Sequence, residues 1–378
     1  MNWRVKMKRK FISQRQLIAL TLAALFCLTF LFSGCSAQSS QNASAKITVT
    51  DTLGRQVEIN GTAKKVVAIG PGALRLCCYF ENTDIFAGIE QMEIDSPTGR
   101  PYLYANPSLA KLPVIGPGGP NNAPNPEQIL AVKPDVIFTT YAADQATADN
   151  LQSKTGIPVV ALSYGQTSTF DPKVDVSLTL IGKIIGMDKR AQELVGLMAQ
   201  YKTDLDTRTK DVADTQKPSA YVGGLGMKGV HGIESTQGNY SLFNAVHAKN
   251  VVDETGKTGS LMIDKEKLIS WNPDKIFLDG AGYPSVLEDY KKNPKFYQSL
   301  SAVKNGELYA LLPYNYYTTN IDTSIADAYY IGKVLYPEQF KDIDPEKKAA
   351  EIYQALLGKD AYAQMAKDFG GFRKLELK

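Results

Sequence analysis

The sequence predicts an α/β protein: two lobes with mostly parallel sheets, joined by a long rigid helix. Three observations lead there. A supersecondary unit occurs twice, once as Pro126-Glu127-Gln128-Ile129-Leu130-Ala131-Val132-Lys133-Pro134-Asp135-Val136-Ile137-Phe138 and again as Lys265-Glu266-Lys267-Leu268-Ile269-Ser270-Trp271-Asn272-Pro273-Asp274-Lys275-Ile276-Phe277. Between the copies, Val174, Leu178, Ile181 and Ile185 recur at helical spacing, and after a break at Gly186 the pattern resumes with Leu194, Leu197, Tyr201 and Leu205. Short apolar runs alternate with helical stretches on both sides, the signature of a mostly parallel sheet covered on both faces.

Each copy of the unit reads as helix, turn, strand. An amphipathic helical turn and a half precedes Pro134 or Pro273, neither of which permits further helix, and short buried strands follow at Val136 to Thr140 and Lys275 to Leu278. The helical stretch between them, at 1.5 Å per residue, would run ~60 Å as one rod. It is expected to act as a strut between lobes.

The first 34 residues carry Arg4, Lys6, Lys8, Arg9, Lys10 and Arg15 with no acid, then an apolar run from Leu17 to Phe32. That run is short of the ~20 residues a spanning helix needs, and with Ser33-Gly34 it matches a secretory signal. Small residues before Cys35 resemble a bacterial lipobox, in which Cys35 becomes the lipidated first residue of the mature protein. An uncleaved membrane anchor is the alternative. The predicted organisation is signal peptide 1–34, lipid anchor and flexible tether 35–45, N-terminal lobe 46–170, connecting helical segment 171–214 and C-terminal lobe 215–378.

Removing the signal takes six of 42 basic residues and none of 39 acidic ones, leaving a slightly acidic remainder, so charge suggests no nucleic-acid role. Of four cysteines, only the neighbours Cys77-Cys78 remain for the folded part. Their Cα atoms lie ~3.8 Å apart, too close for an unstrained disulfide, so both are expected as small buried apolar side chains.

Along the chain, Lys46 to Ile59 reads as a β-hairpin around Leu53-Gly54-Arg55. Val66 to Ile69 is a buried strand, Gly70-Pro71-Gly72 turns it into a helix from Ala73 to Phe80, and Thr83 to Gly88 is a further short strand. Glu90 to Pro126 reads as a long Pro- and Gly-rich loop containing Tyr102 and Tyr104. Val159 to Leu162 is the next strand. Beyond the strut come strands at Ala220 to Gly223, Ile276 to Leu278 and Leu308 to Leu311, a helix from Leu242 to Ala245, and closing helices at Ile325 to Leu335 and Lys347 to Leu357.

Chemistry-bearing motifs are few. Gly224-Leu225-Gly226-Met227-Lys228-Gly229 matches the dinucleotide fingerprint literally, but Val230-His231-Gly232 continues as loop and no acidic residue lies at the expected offset. The chain has two histidines and no H-E-x-x-H, too few nitrogen ligands for a usual zinc cage. His231, in a post-strand loop, is a candidate ligand contact or a loop residue; His247 is read as packing. No G-x-S-x-G elbow or P-loop occurs, and the chain is not expected to be an enzyme. Aromatic polar residues do gather at strand ends: Tyr141, Tyr164, Tyr283, and the run Tyr314-Asn315-Tyr316-Tyr317. Ligands of open α/β sheets lie beyond the strand carboxyl ends, so these rings are expected to line a shared cleft.

With those residues in view, the chain resembles the iron-siderophore and cobalamin substrate-binding proteins of ABC importers. Thr50-Asp51-Thr52-Leu53-Gly54-Arg55-Gln56-Val57, Val66-Val67-Ala68-Ile69-Gly70-Pro71-Gly72-Ala73 and the Glu127 to Phe138 unit carry the likeness. The resemblance implies two Rossmann-like lobes around a ligand cleft, joined by a rigid helix and closing little. It also implies that Glu127 and Glu266, one per lobe, meet arginines of the permease; a helix-start carboxylate favoured by the macrodipole predicts the same residue type. Arg75 stands where the family commonly has an acid. Together with Arg100 and Tyr102, it is a candidate for pairing with an anionic ligand; each arginine is alternatively a surface residue.

The expectation is a lipid-anchored extracytoplasmic receptor, without resident cofactor or direct metal ligand, that passes a small molecule to an ABC permease and its ATPase. An iron(III) chelate leads, with corrinoid or haem next. Molybdate or tungstate is the alternative, since Arg75, Arg100 and glycine-loop amides suit a small anion. An enzyme or metal-cluster chaperone on the same scaffold is the alternative of another class.

Overall fold

The computed structural model describes residues 46–119, 122–166, 169–226 and 229–378. The signal, Cys35 and the tether therefore lie outside the described residues, as do Met227 and Lys228 of the glycine loop.

The N-terminal half opens with an antiparallel hairpin of β1 (Lys46–Thr50) and β2 (Gln56–Asn60), followed by a parallel sheet of β3 (Val66–Ile69), β4 (Val136–Thr139) and β5 (Val159–Ala161) in that order. Register pairs Val66 with Val136 and Ile137 with Val159. All three strands are buried throughout, which explains their unbroken apolar sequence. The hairpin protects the exposed edge of β5. Thr52 N–H donates to Ala161 O, Ala161 N–H donates to Asp51 Oδ2, and Arg55 Nη1 donates to both Asp51 Oδ2 and Val159 O.

The C-terminal half holds β6 (Ser219–Gly223), β7 (Ser235–Gly238), β8 (Lys249–Asn250), β9 (Gly259–Met262), β10 (Lys275–Asp279), β11 (Leu308–Leu311) and β12 (Arg373–Lys374). Its main sheet runs β12-β11-β10-β6-β8, parallel apart from β12, and β7 pairs antiparallel with β9.

The repeated unit folds the same way in both halves. Helices Pro126–Val132 and Lys265–Trp271 each end on a left-handed residue, Lys133 (φ 49°) and Asn272 (φ 42°), before the proline. The aspartate after each proline ties down the neighbouring strand: Asp135 Oδ2 accepts from Lys64 and Lys65 N–H, and Asp274 Oδ2 from Ser219 N–H and Oγ. Pro-Asp therefore stops a helix and fixes the start of the parallel strand next door.

Strand alternation divides the core into three clusters. Val66, Ala68, Phe138 and Val160 face one large cluster, which Val222, Phe277 and Leu311 enter from the other sheet. The second and third cover the outer faces of the two sheets. Ala45–Lys378 forms a single compact unit, and the shared cluster is why.

Several expectations change. The connecting segment is two helices rather than one rod, Pro172–Ile185 and Asp188–Thr209, and they part at the break read at Gly186, which adopts a left-handed conformation (φ 73°) and returns its N–H to Gly182 O. The helices pack on each other, and the 22-residue second one, ~33 Å long, is the long connecting helix. Thr83 to Gly88 forms a 3-10 turn at Thr83–Ile85 and then meets β3 through a single parallel bridge, Phe86 to Val66, so the expected strand is reduced to one paired residue. Among its described residues, the Glu90 to Pro126 stretch contains helices Gln91–Asp95 and Pro101–Ala105 and a 3-10 turn at Pro107–Lys111, in place of an irregular loop. The helix read as closing at Ile325 begins at Ile321 and is central. Its apolar and small residues face the core all round, and Asp322 and Asp327 are fully buried within it. Cys77 and Cys78 are buried free thiols, as expected.

Candidate functional site

Beyond β3, Gly70 and Gly72 hold φ values of 88° and 81°, and the turn delivers the short helix Ala73–Cys78. A Cβ on Gly72 would stand 2.5 Å from the Tyr164 hydroxyl, so only glycine lets the helix start this close to β5's loop. The third helical residue is Arg75, whose side chain is wholly buried and reaches across to the other lobe. Its Nε donates to Asn320 Oδ1 (2.7 Å), Nη2 to Tyr316 O (2.6 Å) and Nη1 to the Tyr164 hydroxyl (3.2 Å). The guanidinium also lies 4.8 Å from the Tyr102 ring centre.

The segment Arg75 holds is a tight turn after β11. Asn315 bridges to Thr319, and Tyr317 (φ 53°) and Thr318 (φ 69°) are successive left-handed residues. Each costs ~1 kcal/mol or more without glycine. The bonds from Arg75 to the Tyr316 and Tyr317 carbonyls offset that strain.

A second charged cluster adjoins it. Arg100 is paired with buried Glu93, Glu93 Oε2 accepts from the Tyr102 hydroxyl at 2.7 Å, and Arg100 lies 5.4 Å from the Tyr317 ring centre. Arg100 Nε and Glu93 Oε1 are buried without a hydrogen-bond partner among the described residues. Glu90 accepts from Gly70 N–H and from the Tyr317 hydroxyl, which itself accepts from Gly119 N–H. Burial pushes the Glu90 carboxyl up to about 7; the Gly70 amide opposes this and Glu93 reinforces it. Asn320 Nδ2 completes the seam by donating to Gly99 O.

Arg75, Arg100, Tyr102, Tyr164 and Tyr316 therefore meet along one interlobe seam. Neither arginine is a surface residue. Tyr141 is half-buried at the carboxyl end of β4, beside Gly70. Tyr314, expected in the cleft, is a core residue packed near Tyr240 (6.3 Å between ring centres). Tyr283 starts the helix Tyr283–Lys292; its hydroxyl donates to Glu376 O and its ring lies 5.8 Å from the Arg373 guanidinium. His231 is half-buried in the β6–β7 loop, whose Gly224 N–H donates to Gly232 O; this loop returns as strand, so the glycine fingerprint lacks its helix. His247 pairs with Thr209 and Asp206 of the connecting helix. The seam residues missed from the sequence are Glu90, Glu93 and Asn320. The turn after β11 was visible as an aromatic run; buried acids in a Pro- and Gly-rich stretch gave no signal.

Glu127 and Glu266 are exposed in the first turns of their helices. No group of three or more His, Cys, Asp or Glu converges as a metal cage among the described residues, and no described helix is long and apolar enough to cross a membrane.

Two α/β lobes closing on a polar, arginine-bearing seam have the architecture of a small-molecule binding protein. The chain belongs to the periplasmic binding protein family, whose profile matches residues 79–314. It is similar to the molybdate-binding protein MolA of Haemophilus influenzae, 25% identical over 81% of this chain and 89% of that one. The structure of MolA bound to molybdate superposes with TM-score 0.65 at 22% identity, covering 83% of this chain and 98% of that one. An uncharacterised ABC transporter substrate-binding lipoprotein of Bacillus subtilis, YvrC, is 23% identical over 85% and 98% of the two chains. The iron-uptake system-binding protein of B. subtilis is 27% identical over 51% of this chain and 60% of its own.

Proposed function

We propose that this substrate-binding protein is the extracytoplasmic receptor of an ABC importer, that it captures an anionic metal species between its lobes, and that it hands it to the permease. The observation that carries this reading is the convergence of Arg75 and Arg100, both buried, on a seam to which each lobe contributes. The Arg75 guanidinium, held by the Tyr316 carbonyl, Asn320 and the Tyr164 phenol rather than by a carboxylate, suits a ligand of negative charge, whereas Arg100 is already paired with Glu93. Docking would use Glu127 and Glu266, the exposed acids at matching positions of the repeated unit.

Two ligand readings share that chemistry. A compact oxyanion such as molybdate or tungstate is favoured by tightness: a Cβ on Gly99 would lie 2.7 Å from the Tyr316 ring, leaving little room for a bulky ligand. The molybdate-binding relative supports it. An iron(III) chelate, siderophore, corrinoid or haem, is favoured by the rings of Tyr102, Tyr164 and Tyr316 at the seam and by the iron-uptake relative. The fold's relatives give no support to an enzyme.

Thermal unfolding with molybdate, tungstate, ferric siderophores, cobalamin and haem, each in large excess, separates the readings. A ligand at ~100 times its dissociation constant adds ~2.7 kcal/mol to the folded state. Shifts confined to oxyanions select the first reading and shifts confined to organic chelates the second; no shift with any of them would sink both. Glu127→Ala with Glu266→Ala should leave those shifts intact while abolishing uptake, and normal uptake would exclude the docking role.

A further inference from the structure

The repeated unit repeats more than its acid. Within each helix the residue that follows the buried anchor is a large aliphatic turned to solvent: Leu130 after Ile129, and Ile269 after Leu268. Ile129 and Leu268 are wholly buried, whereas Leu130 and Ile269 are 41% and 42% exposed. Each lies three positions beyond its glutamate, and residues three apart are neighbours on a helix surface. One patch of carboxylate beside aliphatic therefore occurs in each lobe. A single exposed aliphatic is ordinary on a protein surface. The same one at both copies of a repeated unit, held to the same exposure, is a different matter, and the remaining large exposed aliphatics, Val176, Val230 and Met262, fall outside the unit.

The helices have no internal need for these side chains. The turn geometry is fixed by the proline, the left-handed cap and the aspartate, and the packing by Ile129 and Leu268. A polar residue at 130 or 269 would serve the helix equally well. A carboxylate with an apolar neighbour calls for a partner offering a cation beside an apolar hollow, and two copies of the patch call for two copies of that site.

We propose that Leu130 and Ile269 are apolar anchors of the transporter-docking surface, each seated in an equivalent hollow on one of two like subunits of the membrane partner. This rests on the importer reading above. The glutamates steer and orient; the aliphatics supply contact that salt does not screen. Docking on charge alone would be lost at high salt, whereas docking with two apolar anchors retains part of its affinity.

The test is binding of the full chain to its ABC permease and ATPase in nanodiscs, at low salt and at 1 M salt (roughly a 3 Å screening length). Leu130→Ser and Ile269→Ser, both on the surface, should keep the wild-type melting temperature. Each should weaken docking about tenfold, and the pair about a hundredfold, while Leu130→Met restores most of the loss. Wild-type protein should keep measurable binding at high salt and the double variant should not. Docking of the double variant equal to wild type would overturn the proposal, and so would a loss confined to one of the two positions. Failure of wild-type protein to dock would instead overturn the importer reading and this inference with it.

Discussion

Glu90 is the residue at which burial and chemistry conflict most openly. Its carboxyl ionises near 7 instead of 4.5 because the seam removes it from water faster than the Gly70 amide and Tyr317 hydroxyl compensate. An acid whose folded pKa is raised binds more protons folded than unfolded between the two values. Stability therefore falls as pH rises from about 4.5 to about 7, and the loss is complete above that window. Asp279, buried and also pushed up to about 7, acts in the same direction. Because Asp279 is present in both proteins, comparing wild type with Glu90→Gln isolates Glu90. Denaturant unfolding at pH 5 and pH 8 should show the wild type losing on the order of 2 kcal/mol more than Glu90→Gln. Parallel pH slopes in the two proteins would mean that the seam does not strain this carboxyl.

At the scale of the element, the helix-turn-strand unit is explained by three backbone demands. Proline stops the helix, a left-handed residue closes it, and an aspartate satisfies the first amides of the adjacent strand. Lys133 has a Cβ where none is wanted, while Asn272 occupies the same conformation more readily. Lys133→Gly should accordingly stabilise the protein by ~1 kcal/mol, and Asn272→Gly by less. Equal gains, or a loss at 133, would show that the cap is not strained. The same unit was legible in the sequence because every part of it is local. The break at Gly186 was legible too; that the two helices pack on each other there instead of running on as one rod depends on the left-handed glycine and on contacts beyond the segment's own sequence.

At the scale of the whole molecule, the lobes are tied by a common apolar cluster and by the bonds of Arg75, Asn320 and Tyr317 across the seam. Such a molecule is suited to small adjustments of the lobes rather than wide opening. The lipid anchor proposed at Cys35 has its own test: Cys35→Ser should move the protein from the membrane fraction to the soluble one, and unchanged partitioning would favour an uncleaved anchor. The seam's components come from positions up to 245 residues apart, as in the bond from Arg75 to Asn320.

The sequence by itself determined the two-lobed α/β architecture, most strand positions, the hairpin, the repeated unit and its two exposed glutamates. These follow from hydrophobic period, proline and glycine, which act over a few residues. The burial of Arg75 and Arg100, the place of Tyr314 in the core and the central position of Ile321–Leu335 came from tertiary packing alone. Which side chain faces which neighbour depends on how distant segments pack, and a pattern read along one strand or helix carries no information about what lies across from it.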